Sequence, residues 1–164
     1  MNPAEKTFSH LDPVTGQPAM VDVSGKEVTR RMARARCIVV PGEEVMQHLA
    51  DGEIHTKKGP VFRTAIVAGI MAAKKTAELI PLCHPLSLEN CHIDIRVNGQ
   101  REVEIDCTAV ITAKTGVEME ALTGASVAAL TLYDMCKSFS HDIVIREVKL
   151  LEKTGGKSDY RKNG

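Results

Sequence analysis

Four short stretches carry the residues best suited to chemistry. In Pro81-Leu82-Cys83-His84-Pro85 a histidine sits in a loop stiffened by two prolines, each of which biases its predecessor toward an extended backbone. Imidazole titrates near neutrality and can give or take a proton, although a lone histidine is more often structural. In Gly116-Val117-Glu118-Met119-Glu120 two carboxylates stand two residues apart at the start of an expected helix. On an extended segment they would project to the same side and could accept hydrogen bonds from the amidine edge of a purine- or pterin-like ring. The plainer reading is a pair of acids favoured by the helix dipole. Asp134 and Lys137 have i, i+3 spacing, which makes their side chains neighbours on a helix. They form either a surface ion pair of little worth or, within the otherwise apolar Tyr133-Asp134-Met135-Cys136-Lys137, an amine held where it can move protons or bind phosphate. Lys57-Lys58-Gly59 places lysine beside a glycine that permits close approach of a ligand. Such a lysine is a point charge for phosphate, though loop lysines are commonly just solvated. The spacing is not that of a Walker A loop.

Cys83-His84 and Cys91-His92 raise the question of a metal. Cys91 and His92 fall in an alternating strand and point to opposite faces, and neither pair has the C-x₂-C or H-x₃-H spacing of a zinc site. No metal or other cofactor is expected. Lys plus Arg and Asp plus Glu are balanced at 21 each, which argues against a nucleic-acid coat or a membrane-surface binder. With no Trp, three Phe and two Tyr, the chain lacks the aromatic faces of a single-strand-binding platform. No apolar run approaches the roughly 20 residues of a membrane span, and Met1-Asn2-Pro3-Ala4-Glu5-Lys6 lacks the order of a signal peptide. Five irregularly spaced cysteines suit reduced thiols. A cytoplasmic protein is expected.

The 164 residues suit one domain, here 20–153, with a flexible lead-in over 1–19 and a flexible tail over 154–164. A buried strand is predicted over 35–40 and stopped by Pro41-Gly42, with a short helix over 43–50. Pro60 suits a helix start, and Phe62, Ile66, Gly69, Ile70, Ala73 and Ala77 recur at helical spacing, predicting a helix over 61–79. Gly69 and the alanines imply close packing against another element. Cys91, Ile93, Ile95 and Val97 alternate with polar residues, then Asn98-Gly99 turns the chain into a second alternating strand from Val103 to Ile111. A helix over 119–138 and a strand over 142–151 follow. The order is β-α-β-β-α-β, predicting an α+β, ferredoxin-like fold, an antiparallel sheet with two long helices on one face. The uncovered face would suit a subunit interface.

Several segments, in this order, resemble the motif set of the MoaC family, the cyclic pyranopterin monophosphate synthases of molybdenum cofactor biosynthesis. They are Met20-Val21-Asp22-Val23-Ser24, Lys58-Gly59, Ile80-Pro81-Leu82-Cys83-His84-Pro85-Leu86, Thr112 through Thr123, and Ala128 through Lys137. The resemblance extends over 19–158. It implies a ferredoxin-like fold, a homohexamer built as a trimer of dimers, and active sites formed between subunits. The implied reaction converts 3′,8-cyclo-7,8-dihydro-GTP, the product of an upstream radical GTP cyclase, into cyclic pyranopterin monophosphate with release of pyrophosphate. Residue by residue, it implies catalytic roles for Asp134, Lys137 and Lys58. It implies substrate-binding roles for Leu82, Cys83, His84, Glu118, Met119, Glu120 and Lys153. Asp134 and Lys137 would shuttle protons, Lys58 and Lys153 would neutralise phosphate oxygens, and the glutamates would hold the base. One departure stands out: the family's Lys-Gly-Asp-Val is Lys58-Gly59-Pro60-Val61 here, and Lys57 lies adjacent, so either lysine could serve.

Two other classes remain open on the residues alone. A ferredoxin-like module that senses a nucleotide without turning it over would share the fold and the lysines, but would not need Asp134, Lys137 and two carboxylates together. A structural oligomer would need only the sheet face.

Overall fold

The computed structural model describes residues 10–162. Residues 1–9 of the expected lead-in and 163–164 of the expected tail lie outside the described residues. In chain order the elements are β1 (Thr29–Val40), α1 (Glu43–Met46), β2 (Leu49–Ala50), β3 (Glu53–Thr56), β4 (Gly59–Pro60) and α2 (Val61–Ala73). They continue with α3 (Thr76–Leu79), β5 (Asn90–Val97), β6 (Val103–Ala113), α4 (Glu118–Cys136), β7 (Val144–Thr154) and β8 (Tyr160–Arg161).

The main sheet has the order β5-β6-β1-β7-β8, and all its pairings are antiparallel. Setting aside the small hairpin elements, β1-α2-β5-β6-α4-β7 is the ferredoxin-like arrangement, with α2 and α4 packed together on one face. Alternation drives it. Ala33, Ala35, Cys37 and Val39 of β1 and Val103, Ile105, Cys107 and Ala109 of β6 are buried beneath the helices, as period-two burial of one sheet face requires. The helices meet at their glycines. A Cβ on Gly69 would lie 2.7 Å from the Gly124 carbonyl, and one on Gly124 would lie 2.6 Å from Cys107 Sγ. No helix among the described residues is long and apolar enough to cross a membrane.

The structure departs from expectation in several element bounds. β1 starts at Thr29 rather than 35, because Arg34 and Arg36 alternate with buried alanines and face the open side of the sheet, where Asp106 and Glu104 neutralise them. The open face is therefore an ion-pair lattice. The helix expected over 61–79 stops at Ala73 and resumes as α3. The buried Thr76 donates its hydroxyl to the Ala73 carbonyl at 2.9 Å, back-bonding that competes with the helical ladder and bends the chain. The helix expected over 43–50 ends at Met46, and Leu49–Ala50 pair with β3 instead. The segment 56–60, expected as a loop, is the tip of the β3–β4 hairpin. Within the expected tail, Tyr160–Arg161 pair with Lys153 and Glu152.

Candidate active site

Most of the predicted site residues lie at one end or the other of α4. At 1.5 Å rise per residue, Glu118 and Asp134 are about 24 Å apart along its axis.

At the N-terminal end, Glu118 accepts a hydrogen bond from Lys153 Nζ at 3.0 Å. Its carboxylate lies against Gly116, where a Cβ would come within 2.0 Å of Oε2. Glu120 is 4% exposed. The two glutamates do not converge: the helix already begins at Glu118, so two residues turn the side chain by about 200° rather than returning it to the same side. Met119 is exposed between them. Burial pushes the Glu120 carboxyl up, a hydrogen bond from its own backbone N–H offsets part of this, and the Glu118 charge adds to the rise. Burial, then the Glu120 charge, pushes up the Cys83 thiol, so Cys83 is protonated at neutral pH and is not an activated nucleophile. His84 Nε2 lies 2.8 Å from the Val21 carbonyl. A carbonyl only accepts, which assigns the proton to Nε2 and leaves Nδ1 for a ligand. Leu82 is half-buried in the same non-helical loop. Beside Glu118 opens a cavity of about 500 Å³ lined by Lys26, Arg31, Lys153 and Lys157 as well as Glu27 and Glu118. Its cations outnumber its anions, which suits an anionic ligand.

At the C-terminal end, Asp134 bridges two ammonium groups, Lys137 Nζ at 2.8 Å from Oδ1 and Lys58 Nζ at 2.9 Å from Oδ2. Lys58 also donates to the Asp134 backbone carbonyl at 3.2 Å, one of the last carbonyls that a helix leaves unpaired. Lys137 and then Lys58 hold the Asp134 carboxyl at about 2, chiefly by hydrogen bonding. The same carboxylate raises the Lys137 ammonium. All three side chains are about half exposed. Lys57, the other turn residue, is exposed, and it is Lys58 that meets Asp134.

The sequence profile of the MoaC family matches residues 20–156. The chain belongs to the MoaC family. It is similar to a protein of Synechocystis sp. named molybdenum cofactor biosynthesis bifunctional protein, 53% identical over 156 residues, covering 93% of this chain and 45% of the relative. It is also similar to molybdenum cofactor biosynthesis protein 1 of Dictyostelium discoideum, 47% identical over 167 residues, covering 92% of this chain and 26% of the relative. The chain thus spans less than half the length of these curated relatives.

Within this MoaC fold, sequence reasoning missed part of the cavity wall. Arg31 is held by donation from Nε to the Ala113 carbonyl at 2.9 Å, in the half of β1 that lies before the predicted strand. The Ala33, Ala35, Cys37, Val39 alternation, followed two steps further back, would have placed it. Lys26 and Lys157 flank the same cavity from segments with no periodicity to read.

Proposed function

We propose that this MoaC family chain acts in molybdenum cofactor biosynthesis as a lyase, the cyclic pyranopterin monophosphate synthase. It would convert 3′,8-cyclo-7,8-dihydro-GTP, supplied by an upstream radical GTP cyclase, to cyclic pyranopterin monophosphate and pyrophosphate. The names of the two relatives support the pathway. The observation that carries the reaction is the pairing of a cation-lined cavity at one end of α4 with the Lys58–Asp134–Lys137 cluster at the other.

Forming a cyclic monophosphate from a triphosphate requires a substrate hydroxyl to replace pyrophosphate at the α-phosphorus. One P–O bond forms, the bond to pyrophosphate breaks, and charge accumulates on the leaving group. Arg31 and Lys153 line the cavity and would stabilise that charge from preset positions. Glu118 and the His84 loop would hold the ring system. Asp134, ionised down to about pH 2, is a weak base at neutrality, and its part is to fix the two lysines. Lys137 is a cation whose proton is held more tightly than usual, so it delivers that proton only to a group whose basicity rises during the rearrangement.

The two ends of α4 are too far apart to touch one small substrate. We therefore propose that one subunit supplies the cavity and another supplies Lys58, Asp134 and Lys137, in a homohexamer formed as a trimer of dimers. A cytoplasmic setting belongs to the same proposal and is supported by five free thiols. Incubation with the cyclised GTP substrate tests the reading: one pyrophosphate released per pterin product is expected. Nucleotide binding without pyrophosphate release would favour the sensing module instead.

A further inference from the structure

Glu53 has no part in the chemistry above, yet it is a carboxylate only 9% exposed. Its oxygens serve backbone N–H groups: Oε1 accepts from Ile54 at 2.9 Å and Phe62 at 2.7 Å, and Oε2 accepts from Arg63 at 3.2 Å. Phe62 and Arg63 are the second and third residues of α2, whose N–H groups have no partner inside the helix. A polar side chain at the residue just before the helix ordinarily meets them. Here that residue is Pro60, extended at φ −73° and ψ 125° and without a side-chain acceptor. The carboxylate comes instead from the first residue of β3.

This tie crosses the root of a hairpin. β3 pairs with β4 through His55 opposite Pro60 and Thr56 opposite Gly59, leaving Lys57 and Lys58 as the turn. β4 runs directly into α2, so that strand is anchored by the chain itself. Glu53 anchors the other strand to the same first helical turn. Thr56 Oγ1 then braces the tip, donating to the Gly59 carbonyl at 3.3 Å and accepting from the Lys58 N–H at 3.1 Å. The ammonium of Lys58 emerges from this frame 2.9 Å from Asp134 Oδ2.

We propose that Glu53 is a positioning residue for Lys58, fixing the β3–β4 hairpin against α2 so that the Lys58 ammonium meets Asp134. The inference rests on the reading of Lys58 as a site residue. Its test separates positioning from plain helix capping by comparing Glu53→Ala, Glu53→Ala with Pro60→Asp, and Lys58→Ala in the full chain. Three quantities are read: the melting temperature, the pH titration of the Asp134 side-chain carboxyl by ¹³C NMR without substrate, and kcat for pyrophosphate release. In Glu53→Ala the Asp134 titration midpoint rises toward its value in Lys58→Ala. kcat falls about tenfold or more, as ångström-scale misplacement of a reacting group does, with little further loss when Lys58→Ala is added. The Pro60→Asp substitution supplies a local cap for α2, so the double variant regains the melting temperature but neither the Asp134 titration nor kcat. It also keeps the measurement possible where Glu53→Ala alone unfolds. A wild-type Asp134 titration in Glu53→Ala, or recovery of all three quantities in the double variant, overturns the proposal. The titration uses no substrate, so failure of the proposed reaction and failure of this inference are told apart.

Discussion

The two ends of α4 hold carboxylates in opposite electrostatic states. Glu120, at the N-terminus, is raised by burial, and Asp134, near the C-terminus, is lowered to about 2 by two ammonium groups. The helix dipole alone would order them the other way, favouring a charged acid at the N-terminus and disfavouring one at the C-terminus. That effect is worth about 0.3–1 kcal/mol at exposed termini, and here burial and specific partners outweigh it. The N-terminal end is walled, adjoining a cavity of about 500 Å³. The C-terminal end is a set of fixed charges about half open to water. The cation-lined cavity sits at one end and the Lys58–Asp134–Lys137 charge cluster at the other, about 24 Å apart along the helix.

The largest expected effect is at the C-terminal end. Lys137→Ala should lower kcat by about 10³ while oligomeric state and circular dichroism remain those of the wild type, since the side chain is half exposed. Wild-type product formation in that variant would refute its role. At the walled end, Gly116→Ala places a Cβ where the Glu118 carboxylate now lies, and Glu118 must leave Lys153. KM should rise about tenfold, the worth of one charge-assisted hydrogen bond, with kcat less affected. A change in kcat alone would mean that this end does more than bind.

Glu120→Gln should separate the ends thermodynamically. A carboxyl raised in the folded state contributes stability below its unfolded value near 4 and loses it as pH rises through the folded value. At pH 7.5 the Gln variant should therefore melt higher than wild type, by about 2–4 °C for each 1 kcal/mol gained, and the advantage should vanish near pH 4. Substrate affinity should fall. Asp134 has the opposite sign: its contribution is present above about pH 4 and lost as pH falls through about 2. The smallest effect expected is thus a slight melting difference for Asp134→Asn at neutral pH that shrinks in acid. A difference that grows in acid would contradict the lysine pairing.

Much of this frame is readable in the sequence. The alternation in β5 and β6 and the apolar stripe of α4 report burial of one face, which period-two and helical spacing encode directly. The Arg30, Arg31, Arg34 and Arg36 run disguises the first half of β1, because a cluster of cations looks like a polar linker until the partners of Arg34 and Arg36 on the open face, Asp106 and Glu104, and the Ala113 carbonyl that holds Arg31 are known. The break before Thr76 depends on one buried hydroxyl, which spacing does not reveal. The ion pair of Asp134 with Lys137 follows from i, i+3 geometry. The choice of Lys58 over Lys57 does not, because it turns on hairpin register. Glu118 and Glu120 stand out as a pair, but their divergence depends on where the helix begins. Glu53 has no signal of its own: its partners lie across a turn, and Pro60, where the family resemblance expects aspartate, is the only hint that a cap must come from elsewhere.

A site shared between subunits makes a demand that a site within one chain does not. Glu118→Ala impairs binding at the walled end and Lys137→Ala the chemistry at the charged end, so at substrate well below KM each variant alone should keep about a tenth of wild-type turnover or less. Co-refolding the two at equal ratio should restore about a quarter of wild-type pyrophosphate release, because random pairing of subunits leaves that share of sites with two intact halves. Activity no greater than the sum of the separate variants, in mixtures shown to contain mixed oligomers, would contradict the account.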